Sequence, residues 1–453
     1  MRGKTYEMDM SHGPLAGKML SFSVPLIFSG VLQLLFNAMD MVVVGRYAGG
    51  HSLAAVGSTT SLINLLINVF VGLSVGANVL IAQYYGAKRD RDVSETVHTS
   101  IMLSLICGVF LMVIGWFASR GLLIWMGTPD EVLGLATLYM RVYFMGMPVI
   151  MLYNFGSAVL RAIGDTKRPL YFLLVAGVIN VVLNLFFVIC LKMDVAGVAT
   201  ATVISQCVSS GLIVWCLMKT EGSCHLDVRK LCIKRDKLFR IIRTGLPAGM
   251  QGVIFALSNV LIQSSVNSFG AVAMAGNSAA ASIEGFIYTS MNAYHQTALN
   301  FTSQNYGAGN YERIKKVLRN SLIMVTTVGI IMGIGTYFLA APLLSIYSSD
   351  SEIIRYGIMR ISIIATTYCL CGMMDTLVGS LRGLGYSVLP MIVSLLGACG
   401  LRIVWIYTIF KWNRSLITLY ISYPVSWAIT AAVHMLCFVL IMGKVKQRLR
   451  HVE

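Results

Sequence analysis

Asp40 stands in the stretch LQLLFNAMDMVVVG, Leu32 to Gly45, whose other residues are nearly all apolar. An ionised carboxylate in hydrocarbon costs roughly 3 kcal/mol on insertion scales, so either the protein's work requires it or a neighbour hides it. It has companions. Gln33, Asn37 and Asp40 follow i, i+4, i+7 spacing and share one helix face. Farther along, Asn180 and Asn184 are four apart, as are Thr202 and Gln206. One carboxylate, two amides and a hydroxyl, if brought together, offer mostly oxygen donors. Such a set suits a hard monovalent cation, or a proton on the carboxylate. Ordinary interhelical polar contacts would explain the Asn and Thr residues but not the aspartate.

The second half of the chain carries a different polar stripe. Asn277, Glu284, Tyr288 and His295 fall at 0, +7, +11 and +18, aligned along one face at 100° per residue. Gln251, Asn259 and Gln263 lie before them, with Ile262 at the place corresponding to Asp40. Of the nineteen acidic residues only Asp40, Glu284 and Asp375 fall inside apolar segments. Such acids default to functional sites, the alternative being a structural partner such as Arg382, two turns beyond Asp375. The expectation is that Gln33, Asn37, Asn259, Glu284, Tyr288, His295 and Asp375 contact substrate, the acids serving as counter-ions for a cation in an apolar pocket. The ten cysteines show no metal-ligand spacing and read as small buried hydrophobes. No H-E-x-x-H motif is present, which disfavours one rival reading, a membrane-embedded enzyme, and no G-x-x-x-x-G-K-[ST] loop suggests an ATPase.

What must position these residues is a set of membrane helices. The chain is 57% hydrophobic and 12% charged with a mean hydropathy of +0.75, against about 45–50% and about 25% for soluble chains. Twelve apolar segments are long enough to span a bilayer, near residues 18–45, 52–85, 96–119, 131–160, 169–191, 195–218, 240–268, 271–305, 317–341, 353–381, 388–410 and 416–442. Helix is the default for each, since backbone groups in lipid must be satisfied within the segment. The first reads as a retained helix and not a cleaved signal peptide. The net charge of +16 is distributed asymmetrically: with the N-terminus inside, 26 Lys and Arg residues fall on the inner side and 6 on the outer. That places both termini in the cytoplasm and explains the basic excess by topology and anionic lipid, without nucleic acid.

The segments form two copies of one design. Leu160-Arg161-x-x-Gly164…Pro169 recurs as Leu381-Arg382-x-x-Gly385…Pro390, and Gln83-x-Tyr85-Gly86-Ala87 as Gln304-x-Tyr306-Gly307-Ala308, both at an offset of 221. Pro25…Gly30…Asn37 recurs as Pro247…Gly252…Asn259 at 222. The expected organisation is a six-helix lobe over 1–218, a basic cytoplasmic linker over 219–239 and a second six-helix lobe over 240–453. An even helix count per copy makes the repeats parallel about an axis along the membrane normal, an arrangement of secondary transporters whose halves rock around a mid-membrane site.

The stretches VPLIFSGVLQLLFNAMDMVVVGRYAG, LRAIGDTKRP, IEGFIYTSMNAYHQTALNFTSQNYGAG and GSLRGLG resemble the multidrug and toxic compound extrusion (MATE) transporters over nearly the whole chain. The resemblance implies a twelve-helix exporter of organic cations driven by entering Na⁺ or H⁺, with no other cofactor and no ATPase subunit. Its cation site would fall on Asp40, Asn180, Asn184 and Thr202. Two departures stand out. Asn184 occupies the place of a second acid in the DinF-like branch, which favours Na⁺ over a proton here, and Phe255 and its amide neighbours replace the seventh-helix acid of the NorM-like branch. Asp375 matches that branch's tenth-helix acid. The expected protein is a monomeric antiporter of a prokaryotic plasma membrane, exporting amphiphilic small molecules. The other rival is a flippase for lipid-linked oligosaccharide, which would favour a basic lumen.

Overall fold

The computed structural model describes residues 6–450, and among them there is no strand. The first half forms α1 (Leu15–Val43), α2 (Gly50–Gly86), α3 (Asp90–Trp125), α4 (Asp130–Met145), α5 (Met147–Ala162), α6 (Lys167–Leu185) and α7 (Asp194–Lys219). The second forms α8 (Arg235–Asn267), α9 (Ala271–Gly307), α10 (Tyr311–Phe338), α11 (Ala340–Ser345), α12 (Ser351–Ile364), α13 (Tyr368–Gly383), α14 (Val388–Ser394), α15 (Leu401–Tyr407), α16 (Ile409–Trp412) and α17 (Leu416–Arg450). Among the described residues nine helical stretches are long and apolar enough to cross a membrane. Two bent pairs, α4 with α5 at 49° and α12 with α13 at 48°, raise this to eleven. The remaining expected span is α9, 37 residues long and rich in buried polar side chains.

The repeat is visible in the helix ends. Gly50 to Ala271 and Gly86 to Gly307, the starts and ends of α2 and α9, are each 221 apart. The Gln-x-Tyr-Gly-Ala motif is the closure of these two helices: Ala87 N donates to Gln83 O at 3.0 Å and Ala308 N to Gln304 O at 2.9 Å. The Leu-Arg-x-x-Gly motif ends α5 and α13, where Gly164 (φ 94°) and Gly385 (φ 89°) turn the chain through the left-handed region that a side chain disfavours.

The helices cluster into two compact units. One takes in Phe28–Gly249 with the residues up to Asp9; the other takes in Met10–Ile27 with the residues from Met250 onward. The chain therefore passes from one unit to the other inside α1 and inside α8, two residues beyond Pro25 and Pro247. Proline removes a backbone hydrogen bond and bends a helix at its position.

In the first unit α2, α3, α4, α5 and α7 bury a core that includes Ile81, Val97, Met140, Phe155 and Ile213. The start of α8 joins it through small residues. Gly72 and Gly76 of α2 meet Gly245 and Gly249 of α8 so closely that a β-carbon on Gly245 would lie 2.6 Å from Leu73 Cα. Two small-xxx-small faces allow this backbone approach. Lys237, also on α8, pairs with Asp92 and donates to the Tyr84 hydroxyl at 3.3 Å.

In the second unit α9 is central, packed on α10, α12 and α13. The opening turns of α1 lie against it: Ser23 and Thr297 share a hydroxyl hydrogen bond of 2.8 Å, and Phe22 meets Phe301 edge-on at 5.7 Å. The segment before α1 is tied down as well. Asn305 donates to Met10 O at 3.1 Å, Asn310 to Ser11 O at 3.1 Å and Arg313 to Gly13 O at 2.9 Å.

Candidate functional site

In the first unit Asp40 lies near the end of α1, one turn before a π-helical turn at Val44–Ala48. Asn184 lies two residues before a second π-helical turn, Phe186–Cys190, at the end of α6. The two π turns pack on each other. Widened turns of this kind displace side chains from the regular helical register and recur at functional sites. Here they bring four of the expected residues into one hydrogen-bonded cluster. Asn184 Nδ2 donates to Asp40 Oδ1 and, at 3.1 Å, to Asn180 Oδ1. Asn180 Nδ2 in turn donates to Thr202 Oγ1 of α7 at 3.3 Å.

One atom of the cluster is left over. Asn184 Oδ1 is buried and accepts no hydrogen bond. A buried carbonyl oxygen without a donor costs about 1–3 kcal/mol. A water O–H, a protonated Asp40 carboxyl or a cation would each remove this cost. The donor set is entirely oxygen, which fits Na⁺ better than a softer ion. Gln33 and Asn37 are exposed on α1 and stand outside the cluster. Two further aromatic residues of the same unit, Tyr139 and Tyr143 of α4, stack at 6.1 Å. Their i, i+4 spacing inside an apolar segment is the sequence signal of that stack.

The second unit disposes of its acids differently. Glu284 of α9 is buried and bound twice by Arg360 of α12, at 3.0 Å through Nε and 2.7 Å through Nη2. Arg360 also donates to Asn277 Oδ1 at 2.8 Å, and Asn277 donates to Gln263 Oε1 at 2.9 Å. The stripe read from spacing as substrate-facing thus has its charge balanced internally at Glu284. His295 is buried too, its Nδ1 2.6 Å from the backbone carbonyl of Asp375. Asp375 has Arg382 as its nearest cationic influence, and no ion pair within 4.0 Å joins them among the described residues. Arg382 donates instead to Gln251 Oε1 at 2.8 Å. Gln251 continues to Ser394 Oγ at 3.2 Å, and Ser394 to His434 Nε2 at 3.1 Å. Tyr288 and Asn259 are exposed, and Phe255 shares a small cleft with Gln251, Ser394 and Cys399.

Comparison with known proteins gives one answer from three directions. The sequence profile of the MatE family matches residues 25–186 and 247–408, one copy in each half. The probable multidrug resistance protein YoeA of Bacillus subtilis is 28% identical over 90% of this chain and 90% of its own. The probable multidrug resistance protein NorM of Thermotoga maritima is 25% identical over 87% and 86%. Among solved structures, a MATE protein in a straight conformation superposes with a TM-score of 0.91 at 22% identity, covering 97% of this chain and 98% of that one. The same kind of protein in a bent conformation gives 0.88 at 22%, covering 95% and 96%.

Proposed function

Since this chain belongs to the MatE family of multidrug and toxic compound extrusion transporters, we propose that it works as a secondary antiporter, expelling amphiphilic, often cationic, small molecules in exchange for inward Na⁺. It is a multi-pass membrane transporter and not an enzyme. The lysine and arginine asymmetry supports a plasma membrane orientation with both termini cytoplasmic. The relatives are named for multidrug resistance, which does not favour the lipid-linked oligosaccharide flippase.

The observation that carries the coupling is the all-oxygen cluster of Asp40, Asn180, Asn184 and Thr202 with its unsatisfied buried Asn184 oxygen. An ion drives exchange only by binding the two access states unequally. A cation on Asp40 neutralises a charge inside the membrane and gives Asn184 Oδ1 a partner, two terms that vanish where the cluster is empty or open to water. The membrane contributes about 2.3 kcal/mol per charge per 100 mV, and each tenfold ion ratio about 1.4 kcal/mol.

The test is efflux of a fluorescent organic cation from proteoliposomes under an imposed Na⁺ gradient or an imposed pH gradient, applied separately. Export should follow the Na⁺ gradient and disappear in Asp40→Asn, with the variant still inserted. Efflux by that variant at the native rate, or a native response to the pH gradient alone, would refute Na⁺ coupling through this cluster.

A further inference from the structure

Five charged side chains are buried in the membrane helices of the second unit: Glu284, Asp375, Arg360, Arg382 and Arg402. Glu284 neutralises Arg360 directly. Asp375 and Arg382 lie two turns apart on α13. Arg402 is left over. It is the second residue of α15, just past the π-helical turn Leu395–Gly400, and is 3% exposed. Its only side-chain hydrogen bond among the described residues is from Nε to Ser426 Oγ at 2.9 Å. Among the described residues no carboxylate lies within 4.0 Å of its nitrogens.

Aromatic rings surround it instead. The guanidinium lies 4.2 Å from the Tyr423 ring centre and 5.6 Å from that of Trp427. Tyr368 stacks obliquely on Trp427 at 5.2 Å. Ring faces attract a cation but supply only part of what water or a carboxylate gives. A buried arginine without a counter-ion is costly in any packed interior and more so in a membrane. The planar fork is also the side chain best matched to a two-oxygen anion.

We propose that Arg402 receives the anionic head, a carboxylate, sulfonate or phosphate, of an aromatic solute, with Tyr423, Trp427 and Tyr368 as the ring-binding walls. The inference rests on the transport reading for how that solute reaches the site, and it gives the anionic head of such a solute a seat at Arg402. The chain then carries an unbalanced acid in one unit, Asp40, and an unbalanced base in the other.

The experiment uses three pyrene probes that share a ring and differ in charge: pyrenesulfonate, pyrenemethanol and pyrenemethylammonium. Each is titrated against the purified full-length protein in a neutral detergent, for native protein, Arg402→Gln and Arg402→Lys. Arg402→Gln should weaken pyrenesulfonate on the order of tenfold or more, the loss expected for a charge-assisted pair, and leave the other two probes within about twofold. Arg402→Lys, which keeps the charge, should retain part of the sulfonate affinity and guards against a fold that collapses with glutamine. Equal losses for all three probes, or no loss for the sulfonate in a monodisperse variant, would overturn the proposal and make Arg402 a packing post. Displacement of pyrenesulfonate by added phosphatidylglycerol but not phosphatidylcholine would assign the oxyanion to a lipid headgroup and overturn the solute assignment. Binding is read without transport, so a chain that binds the sulfonate yet moves no dye would sink the antiport reading alone.

Discussion

Asn184→Ala removes the buried oxygen of the cluster that no donor satisfies and leaves Asp40 in place. If that oxygen ligates Na⁺, the variant's apparent Na⁺ affinity should fall on the order of tenfold, measured as dye efflux against Na⁺ at fixed pH. A proton-coupled carrier would show a shifted pH profile and no Na⁺ response in either protein. Glu284→Gln has a different meaning from the one its spacing suggests. The sequence expectation makes Glu284 a counter-ion for substrate, whereas the structure gives it Arg360. Neutralising it strands a buried guanidinium, a change of about 3–5 kcal/mol in stability. Thermal unfolding in detergent should drop sharply, with cationic and neutral ligands affected alike in the protein that survives. A selective loss of cation binding at unchanged stability would restore the substrate role. The polar clusters of the two units are unequally legible for a physical reason. Asn180 and Asn184 announce a shared face by local spacing, and an acid in an apolar run asks for company. Glu284 and Arg360 are 76 residues apart, and no periodicity links two helices across such a distance.

Helix contacts carry the same lesson one level up. The twelve apolar runs and the 221-residue offset could be read directly because span length and turn chemistry are local properties. Which helix a run packs against is not local. Pro25 and Pro247 each remove a helical hydrogen bond, yet nothing in the hydropathy says that α1 and α8 each belong to two units. Gly72, Gly76, Gly245 and Gly249 held the clue in their spacing of four. Gly245→Leu should therefore act as an overpacking change: a side chain there meets Leu73 backbone, with no flexible neighbour to yield. A loss of about 1–3 kcal/mol is expected, read as a lower melting temperature. Gly17→Leu on α1, where no atom lies within 4 Å of the added carbon, serves as the control and should melt like the native protein.

For the molecule as a whole, the basic segment between the two repeats is the obvious place to cut, and the units predict what the cut does. A fragment ending at residue 230 lacks the start of α8 that completes the first unit, and the remaining fragment lacks Met10–Ile27 from the second. Neither should persist when expressed alone, while co-expression should yield a co-purifying pair, detected by a tag on one fragment only. Two stable, separately purified halves would mean that the exchanged helix ends contribute little. The same exchange sets a timetable for synthesis. The first turns of α1 and the segment before them leave the ribosome early, but Thr297, Phe301 and Arg313, which hold them, lie about 275 to 300 residues later. At about 5–20 residues per second, those turns wait roughly 15–60 s for their partners. Throughout that interval Met19, Phe22 and Ser23, buried in the finished protein, must be sheltered by lipid or by the insertion machinery. A lesion in α9 or α10 would then first show itself as a newborn chain degraded from its opposite end.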